Sequence, residues 1–164
     1  MDIPESRLRR GVSVCVFRGD RVLMIRRGKA PGIGLWAPVG GGIEAGESAR
    51  DAALRETLEE TGVTARIVGV SGRRLILRRD DDGLLGVDLI VHAAAWVAGE
   101  PVAGDDAAEA RFVTDADLSR LDLMPGVLPF IRVARRLHDG QGPVGSVMQG
   151  ASGSGAGDRD EGGG

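Results

Sequence analysis

The chain has no tyrosine, two tryptophans and three phenylalanines, so aromatics make up only 3% of its 164 residues. That scarcity argues against a surface on which successive bases of a long nucleic acid stack. Lysine is nearly absent as well: Lys29 stands alone, and arginine carries the rest of the positive charge. With a formal net charge of −3 there is no global basic field, and no nucleic-acid polymer is expected as a partner. The single Cys15 excludes an internal disulfide. It lies within an apolar alternation and reads as a small buried hydrophobe, with a reducing compartment as the expectation. No apolar run approaches the roughly 20 residues of a membrane span. Met1 to Arg10 is polar and charged, unlike a signal peptide. The expectation is therefore a cytoplasmic protein without membrane contact, long enough for one domain with a real core. Glycine, in contrast, is abundant, with 27 residues.

The most informative glycines open the stretch Gly41 to Val63, GGIEAGESARDAALRETLEETGV. A glycine-rich loop there enters a predicted helix that Ser48 caps and Gly62 ends. Glu56, Glu59 and Glu60 fall at i, i+3 and i+4, which stacks them along one helical face. Leu54, Thr57, Leu58 and Thr61 fall opposite and form the expected buried face. A carboxylate cluster beside loop backbone suits a hard cation such as Mg²⁺, and glycines let the backbone approach a phosphate. On a solvated face such glutamates repel by only about 0.2–0.5 kcal/mol. Partly buried, about 6 Å apart at an effective dielectric near 20, each pair would repel by roughly 3 kcal/mol, which a divalent cation would remove.

The rest of the chain mixes strands and helices. Residues 1–7 are placed in a flexible arm, and the strand pattern begins only at Gly11 and runs to Phe17. Gly19-Asp20 turns the chain into Arg21 to Arg27, making a hairpin. Gly28 to Gly34 is a loop. Ala65 to Val70 and Arg73 to Arg78 read as two strands around Ser71-Gly72, and Val87 to Val97 as a long apolar strand. Ala103 to Ala108 is an acidic loop, followed by a strand at Ala110 to Val113, a short helix at Asp115 to Leu121 and a last helix near Val127 to Leu137. Residues 139–164 are rich in glycine, serine and charge, and read as disordered. This order favours an α/β fold with a mixed sheet and helices on its faces.

The spacing Gly41, Glu47, Arg55-Glu56-x-x-Glu59-Glu60-x-Gly62-Val63 resembles the Nudix box, the signature of Nudix hydrolases; Thr57 departs from the usual aliphatic residue. Trp36 to Glu44, WAPVGGGIE, is similar to the entry to that box, and the likeness extends over roughly residues 8–138. The resemblance implies an α/β/α sandwich and metal-dependent hydrolysis of a nucleoside diphosphate linked to another group. It implies Mg²⁺, with Mn²⁺ as a substitute, held by Glu56, Glu59, Glu60 and a carbonyl near Gly40 or Gly41. It also implies that Glu47 supports Arg55, and that Glu59, Glu60 and Arg55 serve the chemistry. Glu44, in the same loop, could reach the metal through water.

The base that takes a proton from the attacking water is then Glu59, Glu60 or an acid of a later loop: Asp105, Asp106 or Glu109. Asp106, six residues before Phe112, is favoured. Substrate contacts are expected from Gly41, from Arg26 or Arg27, whose alternation sends them to opposite faces, and from Trp36 if it stacks on a base and does not pack. His92, in an apolar strand, reads as a core histidine. Marks of the subfamilies are missing: Arg78 and Arg79 stand where ADP-ribose pyrophosphatases often carry proline, and there is no tyrosine. The leading expectation is a pyrophosphohydrolase of nucleoside triphosphates that releases a nucleoside monophosphate. ADP-ribose or a nucleotide sugar is the alternative substrate, and a non-catalytic nucleotide-sensing module the alternative of another class. The expected partner is a small nucleotide, the expected assembly a monomer or homodimer.

Overall fold

The computed structural model describes residues 2–104 and 106–140. The expectation of a disordered tail beyond Gly140 lies outside the described residues. A 3-10 turn, Glu5–Arg7, leads into β1 (Leu8–Arg18), followed by β2 (Arg21–Arg27), β3 (Trp36–Ala37), β4 (Val39–Gly42), α1 (Ala49–Thr61), β5 (Thr64–Asp80), β6 (Gly83–Ala98), β7 (Ala107–Val113), α2 (Asp115–Leu118) and α3 (Val127–His138). The strands form one mixed sheet in the order β3-β2-β1-β6-β5, with β4 paired to β1 and β7 to β2. β1 and β6 run parallel from Leu8↔Gly86 to Phe17↔Ala95, and the other pairings are antiparallel.

Alternation along β1 divides the core. Val12, Val14 and Val16 pack with Leu23, Ile25, Val39 and Ala94 under Ala52 and Ala53 of α1. Cys15 and Phe17 pack with Met24, Trp36, Val91 and Ala93 under Ile131 and Ala134 of α3 and Leu118 of α2. This is the expected α/β/α sandwich. Each fully buried valine or larger side chain contributes about 1.5–3 kcal/mol of transfer free energy. Burial pushes the Cys15 thiol up to about 12, which fits its expected role as a core hydrophobe. His92 is buried as expected, but its Nδ1 has no hydrogen-bond partner among the described residues.

Several expectations need correction: β6 starts at Gly83 and not Val87, β7 at Ala107, inside the expected acidic loop, and not at Ala110, and α2 ends at Leu118 and not Leu121, since pairing with β5 and β2 extends the strands. The first strand begins at Leu8, not Gly11, because β6 offers Gly86 to Asp88 as pairing partners to Leu8, Arg9 and Arg10. The two strands read around Ser71-Gly72 are one, β5; bulges at Ile67/Gly69 and Val70/Gly72 absorb the irregular residues without breaking the ladder. The buried face of α1 is Ala52, Ala53, Thr57, Glu60 and Thr61, whereas Leu58 is 55% exposed. Small residues bring α1 close to the sheet. Thr57 is accommodated because its Oγ1 donates to Ala53 O at 2.7 Å, and Thr61 repeats the device toward Thr57 O at 2.6 Å.

Candidate active site

Helix α1 starts where Ser48 Oγ accepts from Asp51 N at 3.0 Å, and ends at Gly62, whose φ of 69° favours glycine. Between these ends, Arg55 organises the carboxylates. Its Nε and Nη2 donate to the two Glu47 oxygens at 2.7 and 3.0 Å, a bidentate pair. Nη2 also donates to Gly42 O at 3.0 Å, and Nη1 to Glu56 at 2.9 Å and Glu59 at 3.1 Å. Glu47 accepts from Glu44 N at 3.0 Å as well. These bonds to Arg55 and to the Glu44 amide hold the Glu47 carboxyl down at about 2. Thus Arg55 ties the glycine loop, the loop acid and the helix acids together. Glu44 stays exposed, 3.8 Å from Arg55 Nη1.

Glu60 is only 8% exposed, and its Oε2 has no partner among the described residues. Burial, then the neighbouring Glu56, and further off Asp106, push its carboxyl up to about 8; Arg27 acts in the opposite sense. Glu56 lies against the backbone of Gly41, where an added Cβ would overlap the Glu56 carboxyl group. Among the described residues no three acidic, histidine or cysteine side chains converge into a ready-made metal cage. The expected trio divides: Glu56 and Glu60 turn inward, while Glu59 is largely exposed and bonded to Arg55. The inward pair nevertheless fits a divalent cation. It offers an orphaned buried oxygen, two mutually repelling carboxylates and a glycine that keeps their space open. Gly41→Ala is therefore expected to displace Glu56 and reduce turnover by at least about tenfold, with a higher Mg²⁺ requirement. Steady-state rates across a Mg²⁺ titration, beside a melt of the metal-free protein, check this; unaltered rates and Mg²⁺ dependence would mean that the close approach is immaterial.

The loop after β6 brings Asp106 to this pair. Val102 N donates to Thr61 O at 2.9 Å and Gly104 N to Glu60 O at 2.7 Å, so the loop closes the carboxyl end of α1. Gly104 is needed there, since a Cβ would overlap Glu59 O. Asp106 forms an ion pair with Lys29 across the loop. Asp105 lies outside the described residues, and Glu109 points away, paired with Arg26 at 3.4 Å and Arg111 at 3.7 Å.

Glu56, Glu60 and Asp106 occupy one end of a cavity of about 560 Å³. Arg27 and Lys29 line the same cavity, and Arg27 Nε donates to Pro31 O at 2.6 Å. The two-way choice left by strand alternation is thereby decided: Arg27 shares the cavity with the carboxylates, while Arg26 faces the other side of the sheet beside Glu109. Trp36 is 6% exposed and lies in the α3-side core, with the Arg111 guanidinium 4.8 Å from its ring centre. It packs and does not line the cavity. The sequence reading missed Arg9, Arg74, Arg78 and Phe130, which line the same cavity. Alternation in β5 puts Arg74, Ile76 and Arg78 on one face, a signal that the expected break at Ser71-Gly72 obscured.

The NUDIX domain family matches residues 7–133. The chain is 36% identical over 106 residues to an ADP-ribose pyrophosphatase of Methanocaldococcus jannaschii; the match covers 65% of this chain and 62% of that relative, less than two thirds of its length. It is 34% identical over 116 residues to a putative 8-oxo-dGTP diphosphatase 2 of Mycobacterium tuberculosis, covering 70% of this chain and 79% of the relative. Among solved structures, a MutT protein from Methanosarcina mazei superposes with a TM-score of 0.65 at 20% identity, covering 84% of this chain and 98% of that one, a likeness of fold. The carboxylate helix anchored by Arg55, the glycine strand against it and these matches lead to one conclusion: the chain belongs to the Nudix hydrolase family.

Proposed function

We propose that the chain hydrolyses the pyrophosphate bond of a nucleoside diphosphate derivative, with a nucleoside triphosphate or deoxynucleoside triphosphate as substrate and a nucleoside monophosphate as product. The observation that carries this reading is the buried Glu56–Glu60 pair beside Gly41, opening into a cavity that also holds Arg27 and Lys29. Nudix hydrolases generally use divalent metal ions, and Mg²⁺, with Mn²⁺ as a substitute, fits this oxygen-only donor set. A bound ion of this kind shields phosphate charge and lowers the pKa of coordinated water. Glu56 and Glu60 hold it, with Glu59 as an outer carboxylate. Arg55, braced by Glu47, fixes the orientation of Glu56. Arg27 and Lys29 draw the diphosphate toward the carboxylate end. A volume of about 560 Å³ is in the range of small-molecule sites and accepts a nucleotide. ADP-ribose or a nucleotide sugar is the second reading, favoured by the named activity of the archaeal relative.

Asp106 is assigned the proton from the attacking water, since it alone of the described later-loop acids enters the cavity. Asp106→Asn is expected to slow turnover by about 10²–10⁴-fold, while Asp81→Asn, in the exposed β5–β6 turn, leaves it unchanged. Equal rates for both variants would return the role to Glu59 or Glu60. The function itself is tested by product analysis after incubation with Mg²⁺ and a panel of nucleoside triphosphates, ADP-ribose, nucleotide sugars and dinucleotides. Monophosphate and pyrophosphate from the triphosphates support the first reading; AMP and ribose phosphate from ADP-ribose alone support the second; no cleavage of any member refutes both.

A further inference from the structure

The sheet wall of the cavity has the opposite charge from its carboxylate end. Strand register places Arg9 beside Val87 and Ile76, Gly11 beside Leu89 and Arg74, and Leu85 beside Arg78. Directly paired residues share a sheet face, so Arg9, Arg74 and Arg78 all project on the α3 side of the sheet. None of the three makes an ion pair with a carboxylate among the described residues. The neighbouring acids are engaged elsewhere: Asp88 with Arg73 on the opposite face, and Asp80 with Arg7. Arg74 is held against the ring of Phe130 at 5.4 Å, and a Cβ on Gly126 would overlap its guanidinium. The wall among these arginines, and between Arg78 and the glycine strand, is apolar, built from Ile76, Val87, Leu89 and Phe130.

Position separates Arg78 from the diphosphate at the carboxylate end, with Arg9 and Arg74 nearer to it. Strand spacings put the Cα of Arg78 roughly 16 Å, that of Arg74 roughly 10 Å and that of Arg9 roughly 7 Å from that of Gly11, whose partner on β4 is Gly42. The gap to Arg78 is about a nucleoside long, and an apolar wall suits a base or sugar. Arginines on one face of a cavity without carboxylate partners favour a multiply charged anion, for which guanidinium forks are well shaped. We propose that the arginine-lined wall of this cavity binds a second phosphate, carried on the nucleoside of the substrate and separate from its pyrophosphate, so that the substrate class is a sugar-phosphorylated nucleoside diphosphate derivative. The substrate part of this inference rests on the proposed pyrophosphate hydrolysis; the binding site does not.

Equilibrium titration of the full chain, without metal, distinguishes the two. The ligands are 5′-AMP, 5′-ADP, adenosine 2′,5′-bisphosphate and adenosine 3′,5′-bisphosphate. At least one bisphosphate is expected to bind about tenfold or more tightly than 5′-AMP. In Arg74→Ala and Arg78→Ala that advantage should shrink toward unity, while the ratio of 5′-ADP to 5′-AMP stays. Both arginines are exposed, so folding should survive; the wild-type ratio also decides the matter without any variant. Equal affinities for 5′-AMP and both bisphosphates overturn the site. Variants that weaken 5′-ADP as much as the bisphosphates overturn it too, since they report a general field and not a located anion. Failure of the hydrolytic reading would appear separately, as no cleavage of any nucleotide in the panel above or of its 2′- or 3′-phosphorylated counterparts.

Discussion

Glu60→Gln is expected to lower hydrolysis by at least about 10³-fold and, at the same time, to stabilise the metal-free protein at pH 8. The first effect follows because one of two inward carboxylates loses its charge at the proposed site for a cation and a diphosphate. The second follows from linkage. The folded carboxyl titrates near 8, above its unfolded value, chiefly because it is buried and secondarily because Glu56 and Asp106 lie near. Between the unfolded pKa and about 8 the folded state retains a proton that the unfolded state has released. Stability of the metal-free protein therefore falls as pH rises through that window and is flat above it. The amide cannot ionise, so the variant should lack this slope. Its melting temperature should exceed wild type by about 5 °C at pH 8 and match it near pH 4. A melt series over pH checks the sign. A variant that melts lower at pH 8 would make Glu60 a structural carboxylate; one that hydrolyses normally at low Mg²⁺ would remove it from the site.

Arg55→Lys is the second large effect. The substitution keeps a positive charge but loses the fork that reaches Glu47 in two bonds while touching Gly42 O, Glu56 and Glu59. Turnover is expected to fall by about 10–100-fold, since the supporting bonds orient Glu56 without touching substrate. The pH profile separates support from direct catalysis. In Arg55→Lys the apparent pKa of the Glu47 carboxyl, followed by NMR, should rise from about 2 toward the ordinary glutamate range, because a single ammonium cannot replace two guanidinium bonds. An unmoved carboxyl with full activity would reduce the network to an ordinary surface salt bridge.

Much of this arrangement is legible in the sequence. The helix ends are, because Ser48 and Gly62 are local signals that need no tertiary partner. So is the grouping of Glu47, Arg55, Glu56 and Glu60, because it follows from spacing and family likeness. What the sequence hides depends on long-range packing. Glu60 lies on a face that helical spacing alone assigns to solvent; its burial comes from Ala52, Ala53 and Thr57 letting α1 settle close to the sheet. The division of Glu59 from Glu56 and Glu60 depends on where one guanidinium reaches. The choice of Arg27 over Arg26, and the packing of Trp36 against Arg111, are set by pairing with β7, which lies some eighty residues downstream. The continuous β5, and with it the arginine face of the cavity, is concealed because glycine and serine at a bulge look the same in sequence as a turn.

In the proposed function, pyrophosphate hydrolysis depends on a divalent-cation site formed by the Glu56–Glu60 pair beside Gly41. Mn²⁺ titration followed by electron paramagnetic resonance, on wild type and on the double variant Glu56→Gln/Glu60→Gln, tests it most directly when set beside hydrolysis over the same Mn²⁺ range. Saturable binding by wild type, loss of that binding in the folded double variant, and a rate that rises with occupancy are expected. Mn²⁺ bound equally well by the double variant, or hydrolysis that does not follow occupancy, would contradict it.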